Sequence, residues 1–380
     1  MASRSPSPSA LPSRELLGAA QRGDEDAFRR LVEPHRGELH AHCYRMLGSL
    51  HDAEDALQDA LLRAWKALPK FDGSGSLRSW LYRIATNTSL DVIHRRPKRV
   101  LAIDHAPPAD PHAGPGEPLV ESAWVEPYPD EELSLADGFA APEARYERRE
   151  SVELAFVAAL QHLPATQRAV LILREVLGYS AQETADTLDT TVAAVNSALQ
   201  RARKAVDEKL PERSQQATLR ELGDDGLRNV VERYMSAMER GDVPAVVAML
   251  AEDAAWSMPP LATWYRGTAD LTAFLQVGPL SGNFRWTHLP ARANGQPAVA
   301  GYTWHEDEQA YLPFALDVLT LGPGGRIEQV TAFIARSAAH RTQDEFDLFP
   351  DSAVDPGRVV TIFERFGLPA RLDPQSAPNR

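Results

Sequence analysis

The sequence predicts a multidomain chain: two all-α domains, the second with a helix-turn-helix, followed by an α+β domain. Three observations predict it. Residues 14–97 keep helical periodicity with few prolines or glycines. Residues 179–204 read as two helices around a tight turn. Residues 226–337 begin with helical patterns and continue in Trp- and Tyr-rich segments of strand pattern.

The 380 residues carry a formal net charge of −13, with 24% charged and 43% hydrophobic residues. That length allows two or three domains, each burying its own core. The charge argues against indiscriminate coating of nucleic acid but permits local basic faces. Cys43 is the only cysteine, so no intrachain disulfide and no cysteine-based metal site are possible, and a reducing cytoplasm is expected. The Ser/Pro-rich residues 1–13 read as a disordered tail without the apolar run of a signal peptide. No apolar stretch is long enough to span a membrane.

The first domain is placed at 14–98, with helices over about 13–23, 24–47, 52–68 and 77–94 and breaks at Gly23, Gly48 and Gly73–Gly75. Its third helix contains DAEDALQD. Asp52, Asp55 and Asp59 fall at i, i+3 and i+7, opposite Ala53, Leu57, Ala60, Leu61, Ala64 and Leu68. The acids are expected in water, either as a plain solvated face or as a docking surface for a basic partner. Its fourth helix leads into a basic stretch. Residues 76–99 hold six Lys/Arg (Arg78, Arg83, Arg95, Arg96, Lys98, Arg99) against one acid, Asp91, with Trp80 and Tyr82 between them. Cations interleaved with aromatics suit backbone phosphates and splayed bases, although some of these apolar residues also serve the core.

Residues 99–142 read as a linker. Within 101–142 there are eight prolines, nine acids and no Lys or Arg, a composition that stays extended. Trp124 and Tyr128, in AWVEPYP, are unusual for a plain spacer and suggest a docking element.

The second domain is placed at 143–210. Ser180 and Glu183 make a capping box, Asp189–Thr190 a turn, and Val192, Val195 and Leu199 the inner face of the following helix. Thr191, Asn196, Ser197, Gln200, Arg201, Arg203 and Lys204 are left for base edges and phosphates. Residues 211–225 read as a second linker, 226–337 as the α+β domain with a GPGG hairpin turn, and 338–380 as a tail with apolar pieces at 344–349 and 357–366.

The order of these parts resembles the extracytoplasmic function (ECF) class of bacterial sigma factors. DAEDALQDALLRAWKAL resembles the segment that binds core RNA polymerase, SLRSWLYRIATNTSLDVIHRR the segment that melts and reads the −10 element, and LPATQRAVLILREVLGYSAQETADTLDTTVAAVNSALQRARKAV the −35 reader. The resemblance covers about 14–98 and 143–210. It implies a transcription initiation factor and no enzyme, with no cofactor and no metal. Its partners would be promoter DNA and the coiled coil of the polymerase largest subunit. Asp52, Glu54, Asp55, Gln58 and Asp59 are the implied core contacts. Arg78, Trp80, Arg83, Asn87, Arg95 and Arg96 are the implied −10 contacts.

The third domain resembles the SnoaL-like branch of the NTF2-like fold, a cone of curved sheet and helices around a pocket. A subset of ECF sigma factors carries such an extension together with a Trp-Pro-rich linker motif, which WVEPYP resembles. Trp124, Glu126 and Pro127 are then interdomain residues, and the extension regulates in cis. Trp256, Trp264, Tyr265, Tyr302 and Asp317 are candidates for the pocket, as are Met258, Trp286 and Trp304. Asp317 and His305 are its candidate titrating groups, and a small ligand is an expected partner. His288, His305 and Glu306 lack metal-ligand spacing. Two other readings are open: a standalone ligand-sensing helix-turn-helix regulator, which leaves DAEDALQD unexplained, and an enzyme tethered to a DNA-binding module, which requires turnover dependent on Asp317.

Overall fold

The computed structural model describes residues 14–73, 75–113, 124–137, 151–211, 213–336 and 354–374. The first domain contains α1 (Arg14–Gln21), α2 (Glu25–Val32), α3 (Arg36–Leu47), α4 (Leu50–Ala67) and α5 (Leu77–Ile93). Asp24, Ser49 and Ser76 cap α2, α4 and α5 by accepting from backbone N–H groups of the first turn. Gly48 ends α3 at φ 69, the left-handed conformation glycine favours. The helix expected over 24–47 is two helices. Pro34, which has no N–H to donate, sits in a 3₁₀ turn (Glu33–His35) between them.

The second domain runs through α8 (Leu154–Gln161), α9 (Ala165–Leu171), α10 (Ala181–Thr187) and α11 (Val192–Asp207). Two short helices, α6 (Ala102–His105) and α7 (Asp130–Asp137), lie in the segment between the domains. The two domains touch directly. Arg45 Nε on α3 donates to the Ser151 carbonyl (3.1 Å), and Arg168 on α9 donates to the Met46 carbonyl (2.5 Å).

The third domain holds α12 (Gln215–Glu239), α13 (Val243–Met249), β1 (Leu250–Ser257), β2 (Trp264–Arg266), α14 (Thr268–Val277), β3 (Trp286–Ala293), β4 (Gln296–His305), β5 (Ala310–Leu321) and β6 (Ile327–Ile334). Its sheet has the order β2-β1-β6-β5-β4-β3. β1 and β6 are parallel, and the other pairs are antiparallel. Alternation along β5 sends Ala315, Leu319 and Leu321 toward the helices and Leu316 and Val318 to the other face.

That other face is not open to solvent. Ala300, Tyr302, Leu316, Val318 and Phe333 join one continuous core with residues of both helical domains. The tail helix α15 (Pro356–Ile362) and Phe363 cover part of it, with the Tyr302 and Phe363 rings 5.2 Å apart. Of the two apolar tail pieces, 344–349 lies outside the described residues.

The stretch 211–225 is not a loose linker. α12 starts at Gln215, kinks at Gly223 (φ 65, ψ 172), and is fixed at its beginning. The Gln215 and Gln216 amides donate to the Glu153 carboxylate (3.2 and 2.9 Å), and the Gln215 side chain pairs both ways with the Leu321 backbone (2.8 Å each). Buried amides of this kind must find partners, which ties the second domain to the sheet.

Candidate nucleic-acid and partner interfaces

The acidic helix α4 does not present one uniform face. Asp55, Gln58 and Asp59 are exposed, and Leu62, one turn beyond, is 57% exposed. Asp52 is different, which corrects its expected place in water. It is 3% exposed, lies 2.8 Å from Arg99 and is ion-paired with Arg96. Glu54 is partly covered. It meets Arg36 at 3.2 Å and Arg365 of the tail at 3.1 Å, and His40 stands 3.6 Å away. Burial acts to raise the pKa of Glu54, but the Gln58 hydrogen bond and the charges of His40 and Arg365 outweigh it and hold it below the ordinary value.

On α5, Trp80, Arg83 and Asn87 sit at i, i+3 and i+7. Arg83 and Asn87 point into solvent, and Trp80 packs on Phe71 with ring centroids 5.0 Å apart. Arg78 is held elsewhere. It clasps the Glu38 carboxylate through both Nε and Nη2 (2.7–3.0 Å). Arg95 is exposed beyond the helix end, and Arg96 is engaged by Asp52 and by Asp55 at 3.9 Å.

The helix-turn-helix is α10–turn–α11. Ser180 and Glu183 form the reciprocal capping box, and Asp189 turns the chain at φ 51. Thr191 uses its hydroxyl to cap α11, accepting from Ala194 N at 3.2 Å. Val195 and Leu199 are buried, which turns Asn196, Ser197, Gln200, Arg201 and Lys204 outward along one face. Arg203 lies on the flank, 2.6 Å from Glu175.

WVEPYP meets the first and third domains. Trp124 is buried and donates its indole N–H to the Pro260 carbonyl at 3.0 Å. Glu126 sits over the start of α4, accepting from Ser49 Oγ (2.9 Å) and Leu50 N (2.8 Å), and lies 3.3 Å from Arg99. Pro127 is buried between Glu126 and Tyr128. Tyr128 hydrogen-bonds His40 at 2.9 Å.

Sequence reasoning missed the hub beside this segment. Asn294, fully buried, accepts from Tyr128 N at 2.8 Å through Oδ1. Through Nδ2 it donates to Tyr44 Oη (2.8 Å) and the Val152 carbonyl (2.7 Å). One side chain thus joins the first domain, the linker, the second domain and the sheet. A signal for it was available. Asn294–Gly295 is a two-residue hairpin loop with φ 57 and 70, and Asn-Gly between strand patterns is the strongest short-range hairpin sequence.

Inside the third domain, the helix side of the sheet encloses a cavity of about 50 Å³ lined by Trp256, Met258, Trp286, Phe314 and Asp317, among others. Asp317 accepts from Tyr234 Oη at 2.8 Å, and burial pushes it up to about 6 against the lowering effects of Tyr234 and His288. Three candidates lie elsewhere. Trp264 packs with Trp124 and donates to the Ala106 carbonyl (2.7 Å). Tyr302 faces the helical domains and donates to the Pro369 carbonyl (3.0 Å). Tyr265 stacks on Phe274 behind the lining. Trp304 also lies on the far side, packed on Tyr311, and His305 is not among the lining residues. Phe314 enters the lining although it is out of phase with Asp317, because a bulge at Gly301/Tyr302 shifts the β4–β5 register. Among the described residues no cluster of His, Cys, Asp or Glu is placed to hold a metal ion, and no helix is long and apolar enough to cross a membrane.

Comparison with known proteins matches the same three units. Residues 31–99 match the Sigma-70 region 2 family, 153–206 Sigma-70, region 4, and 231–330 the SnoaL-like domain. The ECF RNA polymerase sigma factor SigG of Mycobacterium tuberculosis is 40% identical over 356 residues, covering 93% of this chain and 86% of SigG. The chain belongs to the ECF class of RNA polymerase sigma factors. SigW of Bacillus subtilis is 31% identical over 199 residues, covering 52% of this sigma factor and 96% of SigW. The crystal structure of the M. tuberculosis ECF sigma factor SigJ shares the fold at a TM-score of 0.51 and 21% identity, covering 88% of this chain and 97% of SigJ. Sigma factors are not enzymes in the catalytic sense; they bind RNA polymerase core and promoter DNA.

Proposed function

We propose that this arrangement is the resting form of the sigma factor, in which the SnoaL-like domain and the tail hold the −10 and −35 readers together. One observation carries the reading: both helical domains share a core with the outer face of the sheet, and Asn294 bonds to each of them. Promoter elements some 25 base pairs apart are separated by roughly 80 Å of duplex, at about 3.4 Å per step. Two readers packed through Arg45 and Arg168 do not straddle that distance, so initiation requires the domains to part. Asp55, Gln58 and Asp59 then serve as the accessible first contact for the coiled coil of the polymerase largest subunit. Arg83, Asn87 and Arg95 face the −10 strand, and the outer face of α11 reads the −35 duplex.

The test uses the full chain with fluorophores on Lys66→Cys and Asp207→Cys, two exposed positions on α4 and α11. Cys43 is fully buried and escapes labelling. Energy transfer between the dyes should be high in the free protein and should fall when core polymerase and an active promoter are added. Unchanged transfer alongside run-off transcript would reject the resting-form reading.

A further inference from the structure

A cleft of about 300 Å³ separates the end of α5 from the α8–α9 turn. Arg96, Lys98 and Arg99 line one side, His162 and Arg168 the other, and Asp52 closes it below. Five basic side chains therefore face one small space. Three of them have acidic partners: Arg96 and Arg99 share Asp52, Arg99 also meets Glu126, and His162 lies 3.2 Å from Asp104. Lys98 and Arg168 have no carboxylate within ion-pair distance among the described residues. Lys98 Nζ lies 2.8 Å from His162 Nδ1, an arrangement that requires an unprotonated ring nitrogen. Arg168 donates only to carbonyl oxygens and to Gln161 Oε1, and its buried Nε has no partner.

The cations oppose one another. Burial lowers the pKa of Lys98, and the charges of Lys209 and Arg168 lower it further, with Asp104 acting against them. Burial likewise lowers His162, where Asp104 pulls upward and Lys98 and Lys209 pull downward. An anion in the cleft would relieve both conflicts. Arg168 is buried without counter-charge, which is otherwise unfavourable, while Lys98 is exposed at the rim and reachable by a ligand. Arg and Lys are the side chains that recognise phosphoryl oxygens. The volume stands at the lower end of small-molecule sites, which begin at about 300 Å³. That suits a phosphoryl group with a sugar or a base and not a duplex.

We infer that this cleft binds a phosphorylated small molecule of nucleotide size, held between Lys98 of the first domain and Arg168 of the second. A ligand bridging the domains favours the packed arrangement over the parted one by mass action, so it would oppose promoter engagement. The site is read by binding alone, so its failure leaves the resting-form reading to its own fluorescence test.

The experiment titrates pyrophosphate, and separately ATP, into the full-length protein at roughly 50 mM salt, where phosphate contacts are strong. Calorimetry and thermal melting are the readouts. The expected result is one saturable site per chain and a raised Tm. Lys98→Glu should weaken binding at least about tenfold, and Lys98→Gln should weaken it less. Arg233→Glu, an exposed change in the third domain, should leave it unchanged. Absence of heat and of a Tm shift with both probes would overturn the site. So would equal binding by Lys98→Glu, or binding confined to a single-stranded oligonucleotide, which would assign these cations to the promoter path.

Discussion

Arg365 Nη2 lies 3.1 Å from Glu54 Oε2, so the tail is fastened to the acidic helix across 311 residues of sequence. The same guanidinium donates from Nε to Glu132 at 2.7 Å, and His40 stands 3.0 Å from Glu132. The contact places a cation on the helix whose exposed acids are proposed to meet polymerase. Replacing Arg365 by Ala should therefore tighten core binding. A partly buried pair of this kind contributes about 1 kcal/mol, or about fivefold in Kd. Fluorescence anisotropy with core polymerase measures it, and weaker binding by Arg365→Ala would show that the tail assists.

The acids of α4 should separate by mutation. Asp55→Lys with Asp59→Lys should abolish core binding without lowering Tm, since both side chains are exposed. Asp52→Ala should instead unsettle the fold, because Arg99 would remain buried with one carboxylate fewer. Removing one partner of a buried pair typically costs about 3–5 kcal/mol, and the accessible second partner Glu126 should bring the loss toward the lower end. A thermal melt of each variant alongside a pull-down distinguishes the two classes.

Asn294→Ala deletes three buried hydrogen bonds and leaves Tyr128 N and the Val152 carbonyl without that partner. Each buried group left unsatisfied costs about 1–3 kcal/mol. The variant should open first at the junction. Hydrogen exchange would show it as lost protection in 124–130 while α10 and α11 keep theirs. Uniform loss across the chain would contradict a local role.

Asp317 gives a pH dependence of known sign. Its folded pKa, about 6, stands above its ordinary value of 3.8. Between those values the folded state binds more protons than the unfolded state, so stability falls as pH rises through the window and levels off above it. At about 1.4 kcal/mol per unit the difference is on the order of 3 kcal/mol. Asp317→Asn should flatten the Tm-versus-pH curve between pH 4 and 6. It should also raise Tm at neutral pH, provided Tyr234 keeps an acceptor. An unchanged slope would show that other groups set it.

The local parts were legible in the sequence because their causes are local. The capping box of Ser180 and Glu183 and the outward residues of α11 follow from spacing alone. What spacing cannot supply is the partner. A helical wheel puts Asp52 beside Asp55, but Arg99, which removes it from water, lies 47 residues on. Strand alternation puts Tyr302 and Asp317 on definite faces without saying that both faces are buried, so an aromatic beneath the helical domains reads like one in the cavity. The polar start of α12 looks like a linker because its glutamines make long-range hydrogen bonds to Glu153, Gly295 and Leu321.

The sheet face that holds Tyr302, Leu316 and Phe333 is nearly dry in the closed chain. On the proposed resting form, parting the domains would wet it unless another protein surface took their place, so open molecules should be scarce and the apparent affinity for polymerase should scale with their fraction. A restraint supplied by a separate inhibitor can be outnumbered when the sigma factor is overproduced. One carried on the same chain cannot, because every copy synthesised brings its own at high effective concentration. Output should then rise in proportion to the amount of protein, without the threshold that titration of an inhibitor creates.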